Sequence, residues 1–356
     1  MRPDRRLLAA PGAAAATAAS APQPVGDGER PRAGLLRLAA SRDAGLLLAL
    51  ALVVLVVTVQ EPTFLSAGNL REMLSTVAIL AVLAAGQTLV VLTRNIDLSV
   101  GAVLGLTAYL AADLAHRHPS TSIVVVGLVA CAAGAGLGAV NGLLVTVGRV
   151  PAIVATLGTL YMFRGLTSTI AGSEQINAGD LPDRYLSFSV DTVAGIPNVV
   201  VVAVVVLVIC AYVLSQTRAG RELYAVGSSP ESARLAGLRP GRLVFGAYVA
   251  AGLLAGLGGL LWSSLYAGAD ATTGTGLELQ VIAAVVVGGV GVFGGTGTVG
   301  GAALGALFLG AVQNGLLLLR VSSLWLQAVY GIVILLAVGL GAWIAYRARR
   351  APGAPS

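Results

Sequence analysis

The feature that most constrains this chain is a succession of long apolar runs with almost no charge inside them. They fall at about 44–59, 74–93, 99–115, 122–147, 150–171, 192–214, 243–263, 280–293, 300–319 and 324–345. A helix needs roughly 20 apolar residues to cross the hydrocarbon core of a bilayer, and most of these runs come close to that length. Charged residues make up only 11% of the chain, against about a quarter in soluble domains. That supply of polar surface is too small to wrap an apolar interior of this size. The pattern predicts an all-α, polytopic membrane protein with about ten transmembrane helices. Several runs are short or interrupted by Gly and Pro, the signature of discontinuous helices lining a cavity. Residues 1–43 form an Ala/Pro/Arg-rich tail whose composition points to disorder, 44–345 the transmembrane body, and 346–356 a second tail.

The basic residues orient this bundle. All 22 are Arg and none is Lys. With ten crossings and the N-terminus inside, the inner segments carry 17 Arg and the outer ones four, with Arg164 within a span. This asymmetry follows the positive-inside rule and places both termini in the cytoplasm. The longest inner connection between spans is 215–242, with five Arg. A bacterial plasma membrane is the expected location.

The same inventory excludes chemistry. Without Lys there is no P-loop, whose ammonium must reach the β- and γ-phosphates, and no Schiff-base catalysis. Cys131 and Cys210 lie in apolar runs and read as small buried hydrophobes. His116 and His118 sit in a short polar connection with no partners at zinc-ligand spacing. No nucleophile–base pair or carboxylate dyad stands within the spans. The chain is expected to be no enzyme, to hold no metal or cofactor, and to bind no nucleic acid.

Glycine supplies the packing signal. Gly134, Gly138 and Gly142, then Gly252 and Gly256, then Gly297, Gly301 and Gly305 recur four apart, a spacing that lets helix backbones approach closely in lipid. The stretch 288–301 matches G-x-G-x-x-G twice, but no Asp or Glu follows Glu278 to hold a ribose, so it is no dinucleotide site. It reads as a flexible hairpin or a break between two half-helices. In RNIDLSVG (94–101), Asp97 either caps the next helix with Ser99 or lines the pathway; both readings stand. Arg164 either snorkels to the headgroups, the favoured reading, or pairs inside the bundle, with Asp97 as the candidate partner.

The inner segment 215–242 is long enough for two short helices broken at Ser228–Ser229–Pro230. Its second turn, Glu231-Ser-Ala-Arg-Leu-Ala-Gly237, presents small residues and one acid, a surface suited to another protein's groove. It resembles the E-A-A-x-x-x-G loop by which permeases of ATP-binding-cassette importers engage their ATPase subunits. LTRNIDLSVGAVLGL (92–106), NGLLVTVGRVPAIVATLGTLYMFRGL (141–166), ELYAVGSSPESARLAG (222–237), 274–306 and 314–339 are all similar to the sugar-type permeases of ribose, xylose and rhamnose importers, and they occur in family order over about residues 44–345.

This resemblance implies a permease subunit that pairs with a second permease subunit, identical or a sister. It would receive sugar from an extracytoplasmic binding protein and be driven by cytoplasmic ATP-binding subunits. Glu231, Ser232, Ala233, Arg234 and Gly237 would form the ATPase-coupling loop. Ser232 departs from the pattern by a small-for-small exchange. A neutral sugar needs hydrogen-bonding groups along its path, and Asn95, Asp97, Ser99, Asn141, Thr156, Thr159 and Gln280 are the candidates. TRNIDLSVG, PAIVATLGTL and GTGLE look most like permeases for rhamnose or for a furanosyl signal. The rival is an ion-coupled secondary sugar transporter, which would need embedded acids; Asp97 and Asp113 are the ones available.

Overall fold

The computed structural model describes residues 42–322 apart from Ser173, together with Trp325, Ala328, Gly331, Ile332 and Leu335. Residues 1–41 of the first predicted tail and all of the second lie outside the described residues, as does most of the last apolar run; Arg42 and Asp43, expected in the tail, instead open the first helix.

Nine of the runs become helices: α1 Arg42–Gln60, α2 Ala67–Leu92, α3 Val100–Arg117, α4 Ile123–Thr146, α5 Ala152–Ala171, α7 Asn198–Gln216, α10 Pro240–Leu265, α11 Leu277–Val287 and α12 Val299–Leu318. Between them lie α6 Asp183–Val190, α8 Arg218–Ser228 and α9 Pro230–Leu235. Five helices among the described residues (α2, α4, α7, α10 and α12) are long and apolar enough to cross a membrane.

Local chemistry sets the helix starts. Ser66 Oγ accepts from the Asn69 amide, Ser122 Oγ from Val125, and Thr298 Oγ1 from Gly301, each satisfying one of the orphan donors of a first turn. Proline takes the first turn of α9 and α10, where its missing N–H costs nothing. The run at 192–214 is corrected at its front. Thr192–Val193 pairs antiparallel with Ile196–Pro197 in a two-stranded hairpin, β1 and β2, turned through Ala194 and Gly195, both at positive φ. The helix begins only at Asn198. The run at 280–293 likewise stops at Val287, and the glycine-rich segment beyond it is a loop.

α2 is the centre of the bundle, buried along nearly all of its length. α4 and α7 instead turn apolar side chains outward, among them Val124, Leu128, Val204 and Val208. An apolar exterior of this kind is matched to lipid rather than water. α10 packs most extensively against α4 through the predicted glycines. A Cβ on Gly134 would strike the Gly252 carbonyl and the Gly256 backbone, and one on Gly138 would strike the Tyr248 carbonyl. Gly301 and Gly305 lie equally close to Gly288 and Ala284 of the α11 end. Gly297, expected in the same helix seam, precedes α12 and belongs to the loop.

Candidate functional site

Two features stand out at the α9 end of the bundle: an exposed short helix, and the clamp that fixes its base. The chain breaks at Ser229, whose backbone is extended. Its Oγ accepts from the Ser232 amide at 3.2 Å and lies 2.9 Å from Ser232 Oγ. Gly237 closes the helix at φ 81°: its N–H donates to the Arg234 carbonyl at 2.9 Å and the Leu238 N–H to the Ala233 carbonyl at 3.0 Å. This is the left-handed helix stop that glycine makes easy. Ala233 faces inward and is buried, whereas Glu231, Ser232, Arg234 and Gly237 are exposed. Leu235 is 91% exposed. The surface is therefore a carboxylate, a hydroxyl and a guanidinium around one apolar knob. Sequence reasoning left Leu235 out of the site, although a lone leucine on the polar side of so short a helix was the available signal.

The preceding helix, α8, is locked to two other segments. Arg94, at φ 66°, donates from Nε to the Gly227 carbonyl and from a terminal nitrogen to the Ser228 carbonyl, both at 2.5 Å. Two donors of one planar guanidinium thus hold the last carbonyls of α8, which have no partner within their own helix. Gly295 N–H donates to the Leu92 carbonyl at 3.0 Å, and Tyr224 Oη donates to the Gly297 carbonyl at 2.7 Å. A Cβ on Gly227 would strike the Leu92 carbonyl, and one on Gly295 would strike Ser228. The G-x-G-x-x-G segment is therefore a break between α11 and α12 that allows three backbones to meet.

Three residues beyond Arg94, the same connection enters a buried polar chain. Asp97 Oδ1 accepts from the Ser99 amide at 2.8 Å and from Ser99 Oγ at 2.6 Å. Ser99 Oγ accepts from Asn141 Nδ2 at 2.7 Å, and Asn141 Oδ1 accepts from Thr159 Oγ1 at 2.6 Å. Thr156 Oγ1 shares its proton between the Ala152 and Ile96 carbonyls. Asp97, Ser99, Asn141, Thr156 and Thr159 are all buried. The chain ties the α2–α3 connection to α4 and α5. Asn95 stands at its edge and donates to the carbonyl and hydroxyl of Thr93, each at 2.9 Å. Gln280 is elsewhere: it lies beside Gln313, Trp262 and Leu277 around a small void on the α11 side.

Arg164 neither snorkels outward nor meets its candidate partner Asp97. Arg164 instead donates to the Gly274 carbonyl at 2.9 Å and lies 3.8 Å from Glu278 Oε2, with both side chains less than a fifth exposed. Asp97 finds its donors on Ser99, two residues away, so it has no need of a distant cation. Asp270 shapes the loop that offers Gly274. Burial alone would raise its pKa, but hydrogen bonds from Thr272 and Thr273 outweigh burial and hold the carboxyl below its ordinary value. Glu278 was missed because its partner lies in a different apolar run; an acid opening a short helix was the only clue.

Comparison with known proteins bears on this architecture directly. Residues 69–338 match the family described as "Branched-chain amino acid transport system / permease component". The chain is 38% identical over 294 residues to the ribose import permease protein RbsC of Escherichia coli strain K12, covering 82% of this chain and 91% of that one. It is 41% identical over 292 residues to the probable ABC transporter permease protein y4mJ of Sinorhizobium fredii, covering 82% and 86%. It is 39% identical over 295 residues to the autoinducer 2 import system permease protein LsrC of Enterobacter sp. strain 638, covering 83% and 85%. No solved structure matches the chain. With the match reaching from the first turn of α2 to beyond α12 and taking in both the α9 surface and the buried chain, the protein belongs to this family of multi-pass importer permease components.

Proposed function

We propose that this chain is the membrane-spanning subunit of a binding-protein-dependent importer that carries a neutral monosaccharide into the cytoplasm of a bacterium. Separate cytoplasmic ATP-binding subunits dock on the Glu231–Gly237 surface, an extracytoplasmic sugar-binding protein delivers the cargo, and a second permease subunit completes the pathway. The body 44–345 would cross the plasma membrane ten times, with the 1–43 and 346–356 tails and the 215–242 coupling segment on the cytoplasmic side. The relatives named for ribose and for autoinducer 2 favour a pentose or a small furanosyl cargo; a methylpentose such as rhamnose is the runner-up.

The observation that carries this reading is the continuity between the exposed α9 surface and the buried chain. A partner that moves α9 moves the end of α8, and the Arg94 fork passes that motion into the α2–α3 connection. The Asp97–Ser99–Asn141–Thr159 chain is the element with two discrete arrangements, as alternating access requires. Made, it pins three helical elements together. Broken, it turns Asn95, Ser99, Asn141, Thr156 and Thr159 toward the cargo. Gln280 would meet the cargo from the α11 side. An ion-coupled carrier fits less well, because the Asp97 carboxylate is enclosed and bonded to Ser99 rather than open to a coupling ion.

The test is uptake of labelled D-ribose by vesicles containing the chain, its ATPase and its binding protein. Uptake is expected to require ATP and both partners and to survive a protonophore. Accumulation by the chain alone, or collapse with the protonophore at constant ATP, would overturn the proposal.

A further inference from the structure

The end of the bundle opposite α9 carries a cavity that no part of this mechanism uses. α2 and α10 each run 26 residues, about 39 Å at helical rise. α2 ends beside the Arg94 clamp and α10 starts just after α9, so the first turns of α2 and the last turn of α10 lie a full span away. There they enclose, with the end of α6 and with β2, a half-open cavity of about 320 Å³. That volume falls in the range of small-molecule sites.

Its chemistry is specific. Tyr266 presents its ring to the space and is 46% exposed. The ring is fixed from behind by Trp262, whose centroid is 4.4 Å away, and by donation from Tyr266 Oη to Thr76 Oγ1 at 3.2 Å. Arg71 and Glu72 stand side by side on α2, and neither forms an ion pair among the described residues. Ser75 gives its proton to the Arg71 carbonyl at 2.8 Å, which leaves its lone pairs as acceptors. Pro197 and Leu265 supply an apolar wall. Donors and acceptors are both present, the two charges cancel, and an aromatic face lies beside them. This set suits an uncharged ring bearing several hydroxyls on one face and C–H groups on the other.

We infer that this cavity is a receiving site for a single neutral sugar ring, held between Tyr266 and the Arg71–Glu72 pair before it enters the bundle. The inference rests on the importer reading and adds the place where cargo is first held by the permease itself. Arg71 would donate to one hydroxyl and Glu72 accept from its neighbour, while the Tyr266 ring covers the C–H face. A free amino acid, with its own paired charges, is the competing occupant. The exposure of Arg71 and Glu72 to solvent gives a zwitterion little advantage over water, whereas ring stacking still favours the sugar.

The test is titration of the intact chain, in lipid nanodiscs and without partners, by saturation-transfer NMR with D-ribose and separately with L-leucine. Saturable ribose binding is expected, with transfer strongest to ring C–H protons. Tyr266→Ala should weaken it about tenfold, the size of one lost stack, and Glu72→Gln by a smaller factor of about two to five, since that carboxylate is exposed. Glu72→Gln lies at the surface and guards against misfolding of the aromatic variant. Absence of saturable ribose binding, equal binding by both variants, or leucine binding in its place would overturn the inference. ATP-dependent uptake by the wild-type assembly is read separately, so loss of the importer reading shows there while the titration still reports on the cavity.

Discussion

Gly237 is the residue whose backbone constrains the docking surface most tightly. Nothing lies within 4 Å of where its Cβ would stand, yet its φ is 81°. Space is available, and conformation is the obstacle. An L-residue pays about 1 kcal/mol or more to hold that left-handed backbone, and asparagine tolerates it better than others. Gly237→Ala is therefore expected to cut uptake severalfold, with Gly237→Asn falling between it and the wild type. Membrane insertion, followed by yield of folded protein, should be unchanged for both. A merely steric role would rank the variants by size, with asparagine the worse.

At the scale of elements, two junctions set what holds the bundle together. The Arg164–Glu278 contact joins α5 to the start of α11. Removing one member of a buried pair costs about 3–5 kcal/mol because the other is left uncompensated; the 3.8 Å spacing and partial exposure here reduce that figure. Arg164→Gln should lower the melting temperature, and Arg164→Leu combined with Glu278→Leu should recover part of the loss. Asn141 is the second junction, since it both donates to Ser99 and accepts from Thr159. Interhelical hydrogen bonds in membranes average about 0.6 kcal/mol and reach about 1.7. Asn141→Leu is thus expected to leave a folded protein, with uptake reduced much more than thermal stability. The helices themselves were legible in the sequence because hydropathy is written locally: the edges of α4 and α5 fall within two residues of their runs. The hairpin at 192–197 was hidden because Val193, Ala194 and Ile196 are as apolar as the helix they precede. The Arg164 partner was hidden for a different reason, since 114 residues separate it from Glu278 and no spacing rule spans such a distance. The buried chain was half legible: its members were named from the sequence, but not that they would bond to one another.

For the whole molecule, the question is how an event at one end reaches the middle of the bundle. Docking and transmission sit on different residues, so they can be separated. Leu235 projects from α9 and touches little of its own chain, and a charge placed there would have to be desolvated in any apolar groove that receives it. Leu235→Glu should therefore weaken association with the ATP-binding subunit, visible as loss of co-purification, and uptake should fall with it. Arg94 lies behind that surface. Lysine would offer a single point charge in place of the planar fork that spans the Gly227 and Ser228 carbonyls. Arg94→Lys is expected to retain the partner and its ATP hydrolysis while losing most uptake, an uncoupled assembly. The two variants then differ in kind: one fails to engage, the other engages without effect. Should Arg94→Lys import at the wild-type rate, the route from α8 into the buried chain does not pass through this side chain, and the rigid packing of Gly227 against Leu92 and Gly295 would have to carry the motion by itself.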